Sequence, residues 1–364
     1  MGAGANMNLW AQQVLTIARL EVRKAFLSRR GLWVYLLALF PAIIFIGHGL
    51  DVKWKRQRWS SHITDRALLE SVQVGERDTD VRTRLGPPIQ DHEFNRRHRG
   101  EDGENIQERR RYLQYFDGQR RYDFNFVNDV LKDKREQALA TLEENSQVFA
   151  GVFQYFYLRL AIFFGCLGIF MNLFRGEMLD KTLHFWFLAP VRREVLLVGK
   201  YGAGLVAAAV IFGGGTILTF FAMLWSLDPA DVQAFWQGVG PGQLFWYTTA
   251  AVLGCVGYGS VFLAAGLLLR NPIVPAAVIL LWESINGFLP AVLQKLSVLY
   301  YLQSLCPLPP PVDPGTPALM RLLLSPAEPA PAAWAILGLL GVTALVLLVA
   351  SRAVKRLEVN YSTD

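Results

Sequence analysis

Two groups of residues carry most of the polar chemistry that this chain could perform. The first begins at Phe174 and ends at Pro190. Charged and polar residues (Glu177, Asp180, Lys181, Thr182) come first, and a short apolar run with Leu183, Phe185, Trp186, Phe187 and Leu188 follows. Pro190 cannot continue a helix and closes the run. Aromatics exposed on a short helix with a charged rim form a docking surface for another protein rather than a reaction centre. The second group lies in apolar surroundings: Arg159, Asn172, Glu283 and Asn286. Ionisable groups at membrane depth face the bundle interior and pair with one another. Counted from one membrane face at about 1.5 Å per residue, Arg159 stands at about 22 Å and Glu283 at about 15 Å. One helical turn separates them, so an Arg159–Glu283 ion pair is expected, with Asn172 and Asn286 on the same polar path.

Other chemistries lack their residues. A phosphate cradle needs a Gly-rich loop ending in Lys-Ser or Lys-Thr, and the chain has none. Gly199-Lys200 lacks both the preceding glycines and the following hydroxyl, and Gly213-Gly214-Gly215 falls inside an apolar run where it suits close helix packing. His48, His62, His92, His98 and His184 do not cluster; His92 and His98, beside Asp91 and Glu93, read as hydrated surface. Cys166, Cys255 and Cys306 follow no metal or redox spacing. The expectation is a chain that is not an enzyme, with no catalytic residue, no metal and no cofactor of its own. The net charge is +6, but the polar block from Asp51 to Gln147 holds 19 basic and 19 acidic residues. That balance argues against a nucleic-acid surface.

The elements that position these groups are long apolar segments. Of the 364 residues, 52% are apolar, and they concentrate in windows of about 20 residues with almost no charge. Six spans are expected: about 31–50, 148–174, 195–225, 242–269, 273–293 and 332–351. Lysine and arginine set the orientation. Arg19, Arg23, Lys24, Arg29, Arg30, Arg175, Lys181, Arg192, Arg193, Lys200, Arg270, Arg352, Lys355 and Arg356 flank one side, against only Lys295 and Arg321 in the short loops of the other. Both termini, and the tail 352–364, are therefore expected in the cytoplasm. Residues 1–30 read as an amphipathic helix lying in the cytoplasmic interface, with Ala11, Val14, Leu15, Ala18, Val22, Ala25 and Phe26 on its apolar stripe. Residues 51–147 form an extracytoplasmic domain expected to be mainly helical, with Ile63–Val74 and Asn125–Gln147 as helices and part of Gly75–Tyr122 mobile. Residues 294–331 mix apolar runs with many prolines and read as re-entrant pieces on the outer side. The fold class is all-α, a six-helix transmembrane bundle.

Glu177, Thr182, Leu183, Pro190, Gly199 and Lys200 match a motif of the ABC-2 class of ABC-transporter permeases, the type V exporters, which this sequence resembles in whole layout as well. Lys181 stands where the family usually has Gly. The resemblance implies that residues 175–194 form a coupling helix docked into an ATPase subunit. Leu183, Trp186 and Phe187 would be its apolar anchors, and Glu177, Asp180 and Lys181 its polar rim. It implies two ATPase chains holding ATP and Mg, a second permease chain (identical or related), contact with membrane lipid, and a bacterial inner-membrane location. The pieces within 294–331 would close an external gate. The spans offer little polar surface, so a lipid-like or amphipathic substrate moved outward is expected. The competing readings are an ATPase-driven transmitter of force to a periplasmic partner, and a non-transporting membrane scaffold or sensor.

Overall fold

The computed structural model describes residues 3–27, 31–99, 105–179, 182–188, 191–269, 273–286, 291–309 and 329–355. The chain divides into two compact units. One comprises Met1–Phe45, Ser146–Leu224 and Pro229–Asp364; the other comprises Ile46–Asn145 with Trp225–Asp228.

The first unit is helical. Among the described residues, five helices are long and apolar enough to cross a membrane: Leu32–His62, Leu142–Met178, Arg193–Leu224, Gly240–Leu268 and Ala332–Lys355. Their outward faces carry leucine, valine and phenylalanine, for example Leu337, Leu345 and Leu348 on the last helix. Such a surface is stable in lipid and unfavourable in water. The expected fifth span, 273–293, is not one continuous helix. Helix Ile273–Ser284 has 12 residues, about 18 Å, against a hydrocarbon core of about 30 Å. A short helix, Ala291–Gln294, comes later, and residues 287–290 lie outside the described set. Five long helices and one short one therefore replace the expected six spans.

Aromatic packing holds this bundle together. Tyr247 meets Phe149 and Phe153 edge to face at 4.8–4.9 Å, those two rings stack on each other at 5.9 Å, and Phe220 joins Phe149 at 5.3 Å. Two of the long helices widen into π-helical turns, Val152–Ala161 and Ala209–Gly213. A π turn leaves a carbonyl outside the regular ladder. Here the carbonyl of Phe212 accepts both the Tyr157 hydroxyl (2.8 Å) and the Thr216 hydroxyl (2.9 Å), so the two widened turns are tied to each other. Gly215 permits that approach: a β-carbon there would fall 2.4 Å from the Tyr157 oxygen and 2.7 Å from the Ala38 carbonyl.

The second unit overturns the expectation of a mainly helical insertion. Its centre is a four-stranded antiparallel meander: β1 Gln90–Arg99, β2 Asn105–Phe116, β3 Arg120–Val127 and β4 Val130–Ala138, in the order β1-β2-β3-β4. Tyr122, Phe124 and Phe126 alternate on β3 and all point inward. They meet Leu113, Tyr115 and Leu131, and the apolar faces of helices Arg66–Ser71 and Asp78–Leu85 through Leu69, Val81 and Leu85. Period-two burial on a pleated strand outcompeted the near-helical spacing of Val127, Leu131, Ala138 and Leu142. The β3–β4 hairpin turns on Asn128 and Asp129, both at positive φ, as a two-residue hairpin loop demands. The expected helix in Ile63–Val74 is present as Arg66–Ser71, and Lys134 caps its end by donating to the carbonyls of Leu69, Glu70 and Val72 at 2.8–3.1 Å. Arg111 clasps Asp91 (2.7 Å) and Asp78 (2.9 Å), joining β2 to β1 and to helix Asp78–Leu85. The Arg111 guanidinium holds the Asp91 carboxyl below its ordinary range.

Candidate functional site

The N-terminal helix Ala3–Leu27 lies along helix Arg193–Ala208. Ile17 and Glu21, one turn apart, are the most buried of its described side chains, whereas Leu15 on the expected apolar stripe is exposed. Gly199 permits the close contact: a β-carbon there would sit 2.8 Å from the Ile17 side chain. The next residue, Lys200, is fully buried. Its ammonium lies 3.0 Å from Glu21 Oε1 and 3.0 Å from Glu177 Oε1, and donates to the Leu173 carbonyl at 3.0 Å. The rings of Phe174 and Trp186 complete the shell, each centred 5.4 Å from the ammonium. A buried ammonium needs this set of partners, because without them its desolvation would cost several kcal/mol.

The triad fixes the loop that follows. Helix Asn172–Leu179 carries Glu177, and helix Leu183–Leu188 carries Trp186. The Trp186 indole donates to Glu177 Oε1 at 3.1 Å. The Thr182 N–H returns to the Glu177 carbonyl at 2.9 Å, and the Phe185 N–H to the Thr182 carbonyl at 3.2 Å. Trp186 is therefore not the outward anchor expected for it; a hydrogen bond and a cation–π contact turn it inward. The apolar side chains that do face outward are Phe185, 64% exposed, and Leu188, 80% exposed. Leu183 and Phe187 belong to the same helix, with side chains outside the described set, and Asp180, Lys181 and Pro190 lie outside the described residues.

The end of the last long helix joins this region. Arg193 donates to the Lys355 carbonyl at 2.9 Å, and the Lys355 ammonium lies 2.8 Å from Glu194. Arg192 stacks over Trp10 of the N-terminal helix with its centre 5.0 Å from the ring. Residues from both ends of the chain thus gather with the start of the third long helix.

The intramembrane group is arranged differently from the expectation. Glu283 makes no ion pair with Arg159 among the described residues. Its carboxylate instead accepts the N–H groups of Val298 (3.0 Å) and Leu299 (3.3 Å) and the Ser297 hydroxyl, at the start of helix Val298–Ser304. Ser297 Oγ in turn accepts from the Tyr300 N–H. A carboxylate on a helix N-terminus is favoured by the helix dipole and by free N–H donors, which makes Glu283 a cap supplied from another segment. The Arg159 guanidinium lies 5.9 Å from the Tyr155 ring centre. Asn172 donates to Gly168 of its own helix at 2.6 Å and is exposed, and Asn286 is buried near Glu283 in sequence. Arg159 and Glu283 still interact electrostatically, without an ion-pair contact between them. The short helix Val298–Ser304 falls inside the expected external segment 294–331, whose prolines at 310–328 lie outside the described residues, and helix Ala291–Gln294 sits at the end of the expected fifth span.

Glu21 and Ser297 were not singled out from sequence, and Phe185 and Leu188 were read as part of the apolar run but not as its anchors. Glu21 had one legible signal, since it stands four residues after Ile17 on the same helical face. No group of three or more His, Cys, Asp and Glu able to hold a metal occurs among the described residues. No protein-family model matches the chain, and comparisons with curated proteins and with solved structures return no match.

Proposed function

We propose that this chain is the permease half of an ATP-driven exporter of the ABC-2 kind, set in a bacterial inner membrane with both termini in the cytoplasm. The reading rests on one observation. Between the second and third long apolar helices, a six-residue helix presents Phe185 and Leu188 outward while its other face is locked to a buried ion triad. Exposed apolar side chains on a braced helix suit insertion into a pocket of another protein. That protein is a separate ATPase, present in two copies and holding ATP and Mg. Force on the short helix passes through Glu177 to Lys200, and from there to the third long helix and, through Glu21, to the N-terminal helix. In this reading the N-terminal helix lies in the membrane interface with Trp10, Leu15 and Leu20 toward lipid. Helix Ile273–Ser284 and the short helices after it make the fifth, broken crossing. A second copy of the chain, or a relative, completes the path. The apolar lining favours a lipid-like substrate.

Force transmission to a periplasmic partner is a second reading. It is favoured by the folded unit within Ile46–Asn145, which has its own aromatic core and an edge strand, β1, free to pair. A cysteine placed at Leu188 tests the orientation common to both. Impermeant thiol reagents should label it in inside-out vesicles only; labelling in right-side-out vesicles would remove the ATPase from reach.

A further inference from the structure

A cavity of about 890 Å³ opens beside the first two turns of the last long helix, Ala332–Lys355. Its walls are Tyr300 and Tyr301 of helix Val298–Ser304, Lys295 just before that helix, and Trp334, Leu337 and Gly338 of the last helix. The walls are braced. The Tyr301 hydroxyl donates to the Lys295 carbonyl at 2.7 Å, and the Tyr301 ring lies on Gly338, where a β-carbon would come within 2.5 Å of it. Val298 packs equally closely on Gly257 of helix Gly240–Leu268.

The chemistry of the cavity is divided. Trp334 and Leu337 are 69% and 61% exposed and give it an apolar side. Lys295 is exposed at the other side and meets no carboxylate among the described residues. The cavity stands at the opposite end of a membrane-length helix from Arg352 and Lys355, the end that meets a headgroup layer when such a helix spans a bilayer. Tryptophan and tyrosine favour that depth because one end of each ring system is apolar and the other polar. A small hydrophilic anion would satisfy Lys295 and leave the apolar wall wet. A neutral hydrocarbon would fill the wall and leave the ammonium without a counter-charge. An anionic amphiphile satisfies both.

We infer that this cavity binds an anionic, phosphate-bearing lipid, with its headgroup on Lys295 and an acyl chain along Trp334 and Leu337. The inference depends on the long helices lying in a membrane and not on any ATPase partner. The test uses the full chain in nanodiscs of phosphatidylcholine doped with phosphatidylglycerol, with retained lipid counted by native mass spectrometry. Wild type should retain phosphatidylglycerol preferentially. Lys295→Ala should weaken that retention at least about five-fold, the size expected of one cation at a lipid surface, while Lys295→Arg keeps it and Lys132→Ala, an exposed cation on β4, leaves it unchanged. Unaltered retention by Lys295→Ala would contradict the site, as would displacement of the lipid by millimolar inorganic phosphate, which would mark a free-anion site. Failure of an ATPase to co-purify would leave this result standing, so the two readings fail separately.

Discussion

The ammonium of Lys200 lies 3.0 Å from Glu177, which ties the start of the third long helix to the loop that ends the second. The same ammonium reaches Glu21 on the N-terminal helix. Three segments far apart in the sequence therefore depend on one buried charge. Lys200→Met should remove the ammonium that two carboxylates share, at a cost of about 3–5 kcal/mol. Thermal unfolding of the purified chain should show a large drop in midpoint. Glu21→Gln combined with Lys200→Met should recover part of it, and strict additivity of the two changes would contradict a shared triad.

Trp186 and Phe185 are neighbours with opposite roles. Trp186→Phe removes a hydrogen bond to a carboxylate and the best cation–π partner, and should cost about 1–3 kcal/mol of stability. Leu188→Ser removes an exposed side chain and should stay within about 0.5 kcal/mol of wild type. Differential scanning fluorimetry in detergent separates the two classes.

Glu283 acts as a cap on helix Val298–Ser304, not as the partner of Arg159. Glu283→Leu should strip three hydrogen bonds from the start of that helix, with a loss of about 1–3 kcal/mol. Exchanging the charges, Arg159→Glu with Glu283→Arg, should be no better than the worse single variant. Recovery of stability in the exchanged protein would restore the ion pair that the geometry lacks.

Asp91 gives the second unit a pH dependence. Its hydrogen bond from Arg111, assisted by the guanidinium charge, lowers its folded pKa below the ordinary 3.8. A carboxyl shifted in that direction stabilises the fold above the ordinary value. The contribution fades as pH falls through that value toward the lower folded one. The pair is partly hydrated, so the effect is about 1 kcal/mol or less. Protection factors across β1 and β2, taken relative to the intrinsic exchange rate at each pH, should fall between pH 5 and pH 3 in wild type, and Asp91→Asn should flatten that change.

The long helices were legible because a charge-free run of about 20 residues has few other solutions. Glu21 was not, because a carboxylate on a basic amphipathic helix looks like its solvated face until Lys200 is placed beside it. The outward turn of Phe185 and Leu188 and the inward turn of Trp186 depend on a lysine 14 residues further on, which periodicity within a six-residue helix cannot reveal. The sheet was misread for a different reason. Alternation at Tyr122, Phe124 and Phe126 is visible in the sequence, but intervals of four and seven among Val127, Leu131, Ala138 and Leu142 suit a helix equally well, and only pairing between strands decides. Helix Ile273–Ser284 ends one residue after Glu283, whose carboxylate is held by the N–H groups of Val298 and Leu299, partners that spacing within 273–293 does not reveal.

The central claim is that Phe185 and Leu188 engage a separate ATP-hydrolysing protein. Affinity purification of the tagged chain from its native membrane tests it most directly. The account predicts an ATPase subunit recovered in equal amount with the chain, and its loss from Phe185→Ser/Leu188→Ser protein that remains folded. Recovery of the folded chain with no nucleotide hydrolase in any fraction, or undiminished recovery with the double variant, would contradict it.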